Sequence, residues 1–194
     1  MVTSSVGYSL GALLMNPPSG NGEQTKRHLT IAQELLGCKQ TEIANLLAIA
    51  TVSTSQVRSA GADWSAWEAA RPTLESVIRN CDVLLIGWGV AVQGPDARRN
   101  FVRQVEWVFE MISRAGHNEY WRVGAQPRHP SLWHQFVSDR HGRTIGGTFS
   151  ERIGQVIERV PVYGIGGPAT ARTFKSSADN NLDSALVART CLTG

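Results

Sequence analysis

The sequence predicts an α/β fold, a three-layer α/β/α sandwich around a mostly parallel central sheet, and three observations predict it. Short apolar runs of strand length alternate with longer runs of helical period. The clearest apolar run, DVLLIGWG at 82–89, is continuous and ends in glycine, as expected of a strand covered on both faces. A chain of 194 residues with 42% hydrophobic residues and six tryptophans is also long and apolar enough to bury one sizeable core.

Each element has its own signal. YSLGALLMN, residues 8–16, reads as a buried strand that stops at Asn-Pro-Pro. After the loop PPSGNGEQ, the stretch 25–37 sets Leu29, Ala32, Leu35 and Leu36 on one helical face, with Gly37 ending it. TEIANLLAIATVS is apolar and partly β-branched, giving a second strand over 42–48. Residues 53–62 read as polar and irregular. The stretch 64–80 reads as a helix restarted at Pro72, because proline removes a donor and crowds the preceding turn. After the third strand at 82–89, residues 95–116 form an amphipathic helix that turns Phe101, Val105, Val108, Phe109 and Ile112 toward the core. YWRVGA, 120–125, is a fourth strand.

From Phe136 onward the pattern weakens. FSERIGQVIERV fits a helix, and the remainder is rich in glycine, serine and alanine. GIGGPA at 164–169 reads as a turn, since it lacks the spacing of a phosphate loop and does not follow the first strand. The expectation is a single domain over 1–194, with its core at about 8–137 and an extension at about 138–194.

Composition narrows the function classes. A net charge of +3 permits a polyanionic partner without demanding one. Cys38, Cys81 and Cys191 are too scattered for a disulfide framework, a zinc site or an iron–sulfur site. They fit free thiols in a reducing cytoplasm. The first residues lack a charged segment before the apolar run, and no apolar stretch is long enough to cross a membrane. A cytoplasmic monomer with no metal, no cofactor and no membrane partner is therefore expected.

The polar residues at strand ends carry the functional signal. In an open, mostly parallel sheet, ligands bind outside the carboxyl ends of the strands. Asn16 ends the first strand, Asn45 lies in the second, Gly89 ends the third and His129 follows the fourth. The hexapeptide RHPSLW, 128–133, adds a rigid turn with two large apolar residues, Leu132 and Trp133, immediately behind it.

In this order and on these elements, LLMNPPSG, IANLLAIAT, DVLLIGWGVAVQ and RHPSLW resemble the motifs of the uracil-DNA glycosylase superfamily. They are also similar to a group of uncharacterised bacterial and phage proteins with Asn-Pro-Ser and His-Pro-Leu loops. The resemblance covers roughly residues 8–137. It implies that Asn16 positions the attacking water and that His129 stabilises negative charge on the departing base. It further implies that Asn45, with Pro17, Ser19 and Ser131, lines the pocket for the flipped base. Leu132 or Trp133 would then wedge into the duplex, covered by DNA rather than by protein.

The chemistry agrees with this assignment. An enzyme acting at C1′ must take the base out of the stack, which calls for a pocket, a wedge and cations for the phosphates. Arg128, Arg98 and Arg99, with Arg103, are the candidate backbone contacts. Asn45 offers both an amide donor and an acceptor for a base edge. An amide is no general base, so catalysis leans on positioning and on stabilising the leaving group. No lysine stands in the four motifs to form a Schiff base, which points to a monofunctional enzyme. The resemblance is incomplete, because no Phe, Tyr or Trp lies between Asn16 and Asn45 to stack on the base; His28 is the one ring there. The small polar loop PPSGNGEQ then suggests a pocket open enough for a bulky modified pyrimidine, as in viral DNA, serving repair or antiviral defence. Two other classes stay open: a non-catalytic nucleic-acid-binding module of the same fold, and a hydrolase of free nucleosides or nucleotides.

Overall fold

The computed structural model describes residues 7–89, 92, 94–141 and 146–162. It is an α/β/α sandwich built on a five-stranded sheet in the order β2-β1-β3-β4-β5. The strands are β1 (Ser9–Leu14), β2 (Gln40–Asn45), β3 (Val83–Gly87), β4 (Glu119–Val123) and β5 (Ile157–Pro161). β1 pairs in parallel with β2 and β3, β3 pairs in parallel with β4, and β5 closes the edge antiparallel to β4.

Every residue of β1 is buried, as a central strand covered on both faces requires. Leu10, Ala12 and Leu14 share one core with Leu29 and Ala32 of α1 (Glu23–Leu35), Trp133 of α6 (Trp133–Phe136) and Ile153 of α7 (Phe149–Val156). On the other face lie α2 (Thr54–Gly61), α3 (Trp64–Glu68), α4 (Arg71–Asn80) and α5 (Pro95–Arg114). Gly11 is what lets α4 approach, because a Cβ there would sit 2.9 Å from Val77 Cγ1. The five expected core residues of α5 are all buried, and Pro72 falls in the first turn of α4, where its missing N–H costs nothing.

Four expectations need correction. Residues 53–62 are not irregular: the Ser53 side chain accepts from Gln56 N and starts α2. The core does not end at 137, since Ile153 is fully buried and β5 completes the sheet. FSERIGQVIERV is half helix and half strand, with α7 passing directly into β5. Leu35 is 40% exposed rather than core-facing, because the helix ends there and Gly37 turns the chain away at φ 67°. Residues 163–194, which include GIGGPA and Cys191, lie outside the described residues. No described helix is long and apolar enough to cross a membrane.

Candidate active site

The helix after β1 packs on one face of the sheet and the helix after β3 packs on the other. A crevice therefore opens beyond the carboxyl ends of these neighbouring strands, the usual place for a ligand in such a sheet. Asn45, Leu14 and Gly87 stand side by side across β2, β1 and β3. Residues paired in this way project to the same face. Leu14 belongs to the α1-side core, so Asn45 opens toward that side.

The His-Pro-Ser loop folds over the same row. A Cβ on Gly87 would lie 3.1 Å from Leu14 Cδ2, 3.2 Å from Pro130 Cδ and 3.4 Å from the Arg128 carbonyl. The glycine thus brings the loop down against the sheet. Asn16, Asn45 and His129 all lie at this one edge, though none hydrogen-bonds another.

His129 caps a single 3-10 turn, Pro130–Leu132. Its Nδ1 accepts from Ser131 N at 3.3 Å and lies 2.8 Å from Ser131 Oγ. A backbone N–H can only donate, so Nδ1 must be the unprotonated nitrogen and the proton sits on Nε2. Burial pushes the His129 pKa below its ordinary value of 6.5, favouring this neutral form. Among the described residues Nε2 has no hydrogen-bond partner. The result is a fixed, neutral N–H donor. Ser131 serves this histidine with both its backbone and its hydroxyl, which is a different task from contacting a base.

Asn16 donates through Nδ2 to the carbonyls of Pro17 at 2.9 Å and Thr51 at 3.3 Å. Both amide hydrogens are used locally, and Oδ1 is left to accept. The Thr51 carbonyl had no signal in the sequence; its proximity follows from the bridge between Pro18 and Thr51. Asn45 Oδ1 is buried with no hydrogen-bond partner among the described residues, as are Thr51 Oγ1 and Trp88 Nε1. Such orphaned atoms are rare in folded proteins and call for a partner. Trp88 packs edge-on against Phe109 of α5, so its indole N–H belongs to the opposite side of the crevice from Asn45.

The remaining expected residues divide. Pro17 is half-buried and Ser19 exposed in the loop before α1. Leu132 is 48% exposed, whereas Trp133 is fully buried and donates from Nε1 to the Arg128 carbonyl at 3.0 Å. Trp133 is thus a core residue and not a wedge. Arg128 is half-buried with its guanidinium 4.1 Å from the Phe136 ring centre, so it braces the loop rather than reaching outward. Arg98 and Arg99 are exposed in the first turn of α5, and Arg99 pairs with Asp96 at 3.2 Å.

His28 is not a stacking platform. It is 6% exposed and donates from Nδ1 to the Pro130 carbonyl at 2.6 Å, with its ring parallel to Trp133 and 4.6 Å from Phe149. It ties α1 to the His-Pro-Ser loop across 102 residues. A cavity of about 660 Å³ beside it is lined by Glu23, Gln24, Arg27, His28, His134 and Phe149. Burial raises the pKa of both Cys38 and Cys81, the latter to about 11, so neither supplies a thiolate near neutrality. Among the described residues no three His, Cys, Asp or Glu side chains come together to hold a metal ion.

The fold and its edge define an open α/β/α protein with a candidate ligand site at the carboxyl ends of β1, β2 and β3 and at the loop after β4. The chain belongs to the DUF1643 family, described as a protein of unknown function, which matches residues 7–131. That span includes Asn16, Asn45, Trp88 and His129 and ends at Ser131, inside the His-Pro-Ser loop. Comparison with curated proteins and with solved structures gives no significant match.

Proposed function

We propose that the protein is a monofunctional DNA glycosylase that hydrolyses the N-glycosidic bond of a flipped, modified base and leaves an abasic site. One observation carries this reading: a histidine whose Nδ1 is held by the Ser131 N–H, leaving the proton on Nε2, stands at the same strand edge as a buried asparagine oxygen that has no partner among the described residues. The donor suits the negative charge that develops on a departing base. The acceptor suits an N–H or amino group on a base edge. Asn16 Oδ1 is the acceptor available to hold the attacking water. Leu132, exposed on the 3-10 turn, is the side chain suited to fill the gap in the stack. Incubation with duplexes carrying uracil, alkylated and hypermodified bases, followed by alkali, tests the proposal: strand cleavage marks abasic sites, and none on any duplex overturns it.

The base preferred should be a substituted pyrimidine rather than plain uracil. The loop before α1 presents Pro18, Ser19, Gly20 and Asn21, all exposed, and the one ring between Asn16 and Asn45, His28, is packed inward. Nothing on that loop closes the pocket, and polar groups matched to an appendage go unpaired when it is absent. Competition between duplexes differing only in the target base should favour the substituted pyrimidine. Rapid release of uracil with none of any substituted pyrimidine would refute the open pocket while leaving the glycosylase reading in place.

The rate should fall with acid. Burial depresses the pKa of both His129 and His28 below 6.5. Above 6.5 both are neutral in folded and unfolded chains alike. As pH drops from there toward the lower folded values, the unfolded chain binds protons first, so stability is lost. Further down, as pH falls through the lowered folded value, protonation of His129 Nδ1 sets it against the Ser131 N–H and breaks the loop geometry. Excision rates with thermal melts at each pH separate the two effects. A rate that rises between pH 7 and 5 would rule out the neutral donor.

A further inference from the structure

On the α3–α4–α5 face, away from the His-Pro-Ser loop, two tryptophans and two arginines alternate. Arg71 Cζ lies 4.5 Å from the Trp107 ring centre and 5.0 Å from that of Trp64, and Arg103 Cζ lies 3.9 Å from Trp64. The order is Trp107, Arg71, Trp64, Arg103. Arg71 is anchored from beneath, donating from Nε to Gln104 Oε1 at 3.1 Å. Gln104 is fully buried and donates to the Leu46 and Trp67 carbonyls at 3.2 and 2.9 Å.

Among the described residues neither Arg71 nor Arg103 forms an ion pair. Burial and then the like charge of Arg103 lower the Arg71 pKa, but a guanidinium remains charged at any ordinary pH. Arg71 is half-buried and Arg103 exposed beside it; Glu68 offsets part of the charge on Arg71 but bridges neither guanidinium among the described residues, so an external anion would stabilise the pair. The stack also leads back to the sheet edge. Asn100 ties α5 to the Gly61 and Ala62 carbonyls at 3.1 Å each, and Arg98 is exposed one turn closer to the edge. Arg58 lies against Gly94, where α5 begins.

We propose that this arginine–tryptophan stack, continued by Arg98 and Arg58, grips the phosphodiester backbone of DNA on the α5 side of the crevice. The inference rests on DNA being the partner; of the expected backbone contacts it keeps Arg98 and Arg103 on α5, adds Arg71 and Arg58, and sets aside Arg128, which braces the loop. The aromatic rings hold the guanidiniums in place, so little side-chain freedom is lost when a phosphate arrives.

Binding of the full chain to a short fluorescein-labelled duplex, followed by anisotropy across a salt series, tests it. Unmodified DNA suffices, because backbone contacts are independent of sequence. Arg103→Ala should weaken binding roughly tenfold at low salt and make the log–log salt slope shallower by about one, the loss of a single phosphate contact. The Arg98→Ala, Arg103→Ala double variant should lose about two from the slope, while Arg103→Lys keeps the charge and retains it. Arg114→Ala, at the far end of α5, should match wild type. Wild-type behaviour of Arg103→Ala, or an equal loss in Arg114→Ala, overturns the stack as the contact and leaves the glycosylase reading standing. A heparin fragment of matched charge that competes as well as the duplex overturns DNA as the occupant. No binding by the wild-type chain even at low salt overturns the stack and the proposed function together.

Discussion

His129→Ala should lower base excision by about two orders of magnitude or more, the scale of losing one fixed donor to a developing negative charge. The argument rests on how the ring is held. Ser131 N–H fixes Nδ1 as an acceptor, and burial keeps the imidazole neutral, so Nε2–H is ready before the base arrives. A donor already in place costs no reorganisation when charge develops. The substitution removes the ring and leaves the fold, because Pro130 and Trp133, not His129, anchor the loop to the sheet and to α1. DNA affinity should change little. Asn16→Ala should give a similar loss for a different reason, since it removes the acceptor proposed to hold the water and also the tie from β1 to the Thr51 carbonyl. Single-turnover excision on the preferred substrate measures both. Full activity in both variants would remove the site assignment.

How much of this was legible depends on where the determining interactions sit. β1, β3 and α5 declare themselves because each is fixed by its own local pattern, a continuous buried run or an apolar face recurring every turn. α2 has almost no apolar face: its residues are TSQVRSAG, and only the Ser53 cap marks it. β5 begins where α7 stops, with no glycine or proline between, and IERVP becomes a strand only by pairing with β4. The placement of Asn16 and His129 at strand ends was readable from the order of strands and breakers. The state of His129 was not, because it depends on which way the Ser131 N–H points. The role of His28 depends on a carbonyl 102 residues away. The stack on α5 joins three helices through side chains that look like ordinary solvated arginines in the sequence.

Trp133→Ala should destabilise the protein by about 3–5 kcal/mol, the usual cost of emptying a large aromatic site in a core, whereas Leu132→Ala should leave stability within about 0.5 kcal/mol. The two residues are adjacent, yet a tight helical turn rotates successive side chains by 100° or more, so about one in three faces inward. Trp133 has no exposed surface, lies parallel to His28 and holds the Arg128 carbonyl through its indole N–H. Its loss leaves a cavity and an unpaired carbonyl in the segment that positions His129. Leu132 points out and is 48% exposed. Its removal should therefore appear in function alone: a slower excision from paired duplex, with near-normal excision from single-stranded DNA or opposite a mismatch, where no stacked gap must be filled. Denaturant melts of both variants and excision by Leu132→Ala on paired and unpaired substrates separate the roles. Equal loss on both substrates would show that Leu132 does not act as a wedge. A Trp133→Ala variant as stable as wild type would mean that the loop is held to the sheet by Pro130 and His28 without the indole.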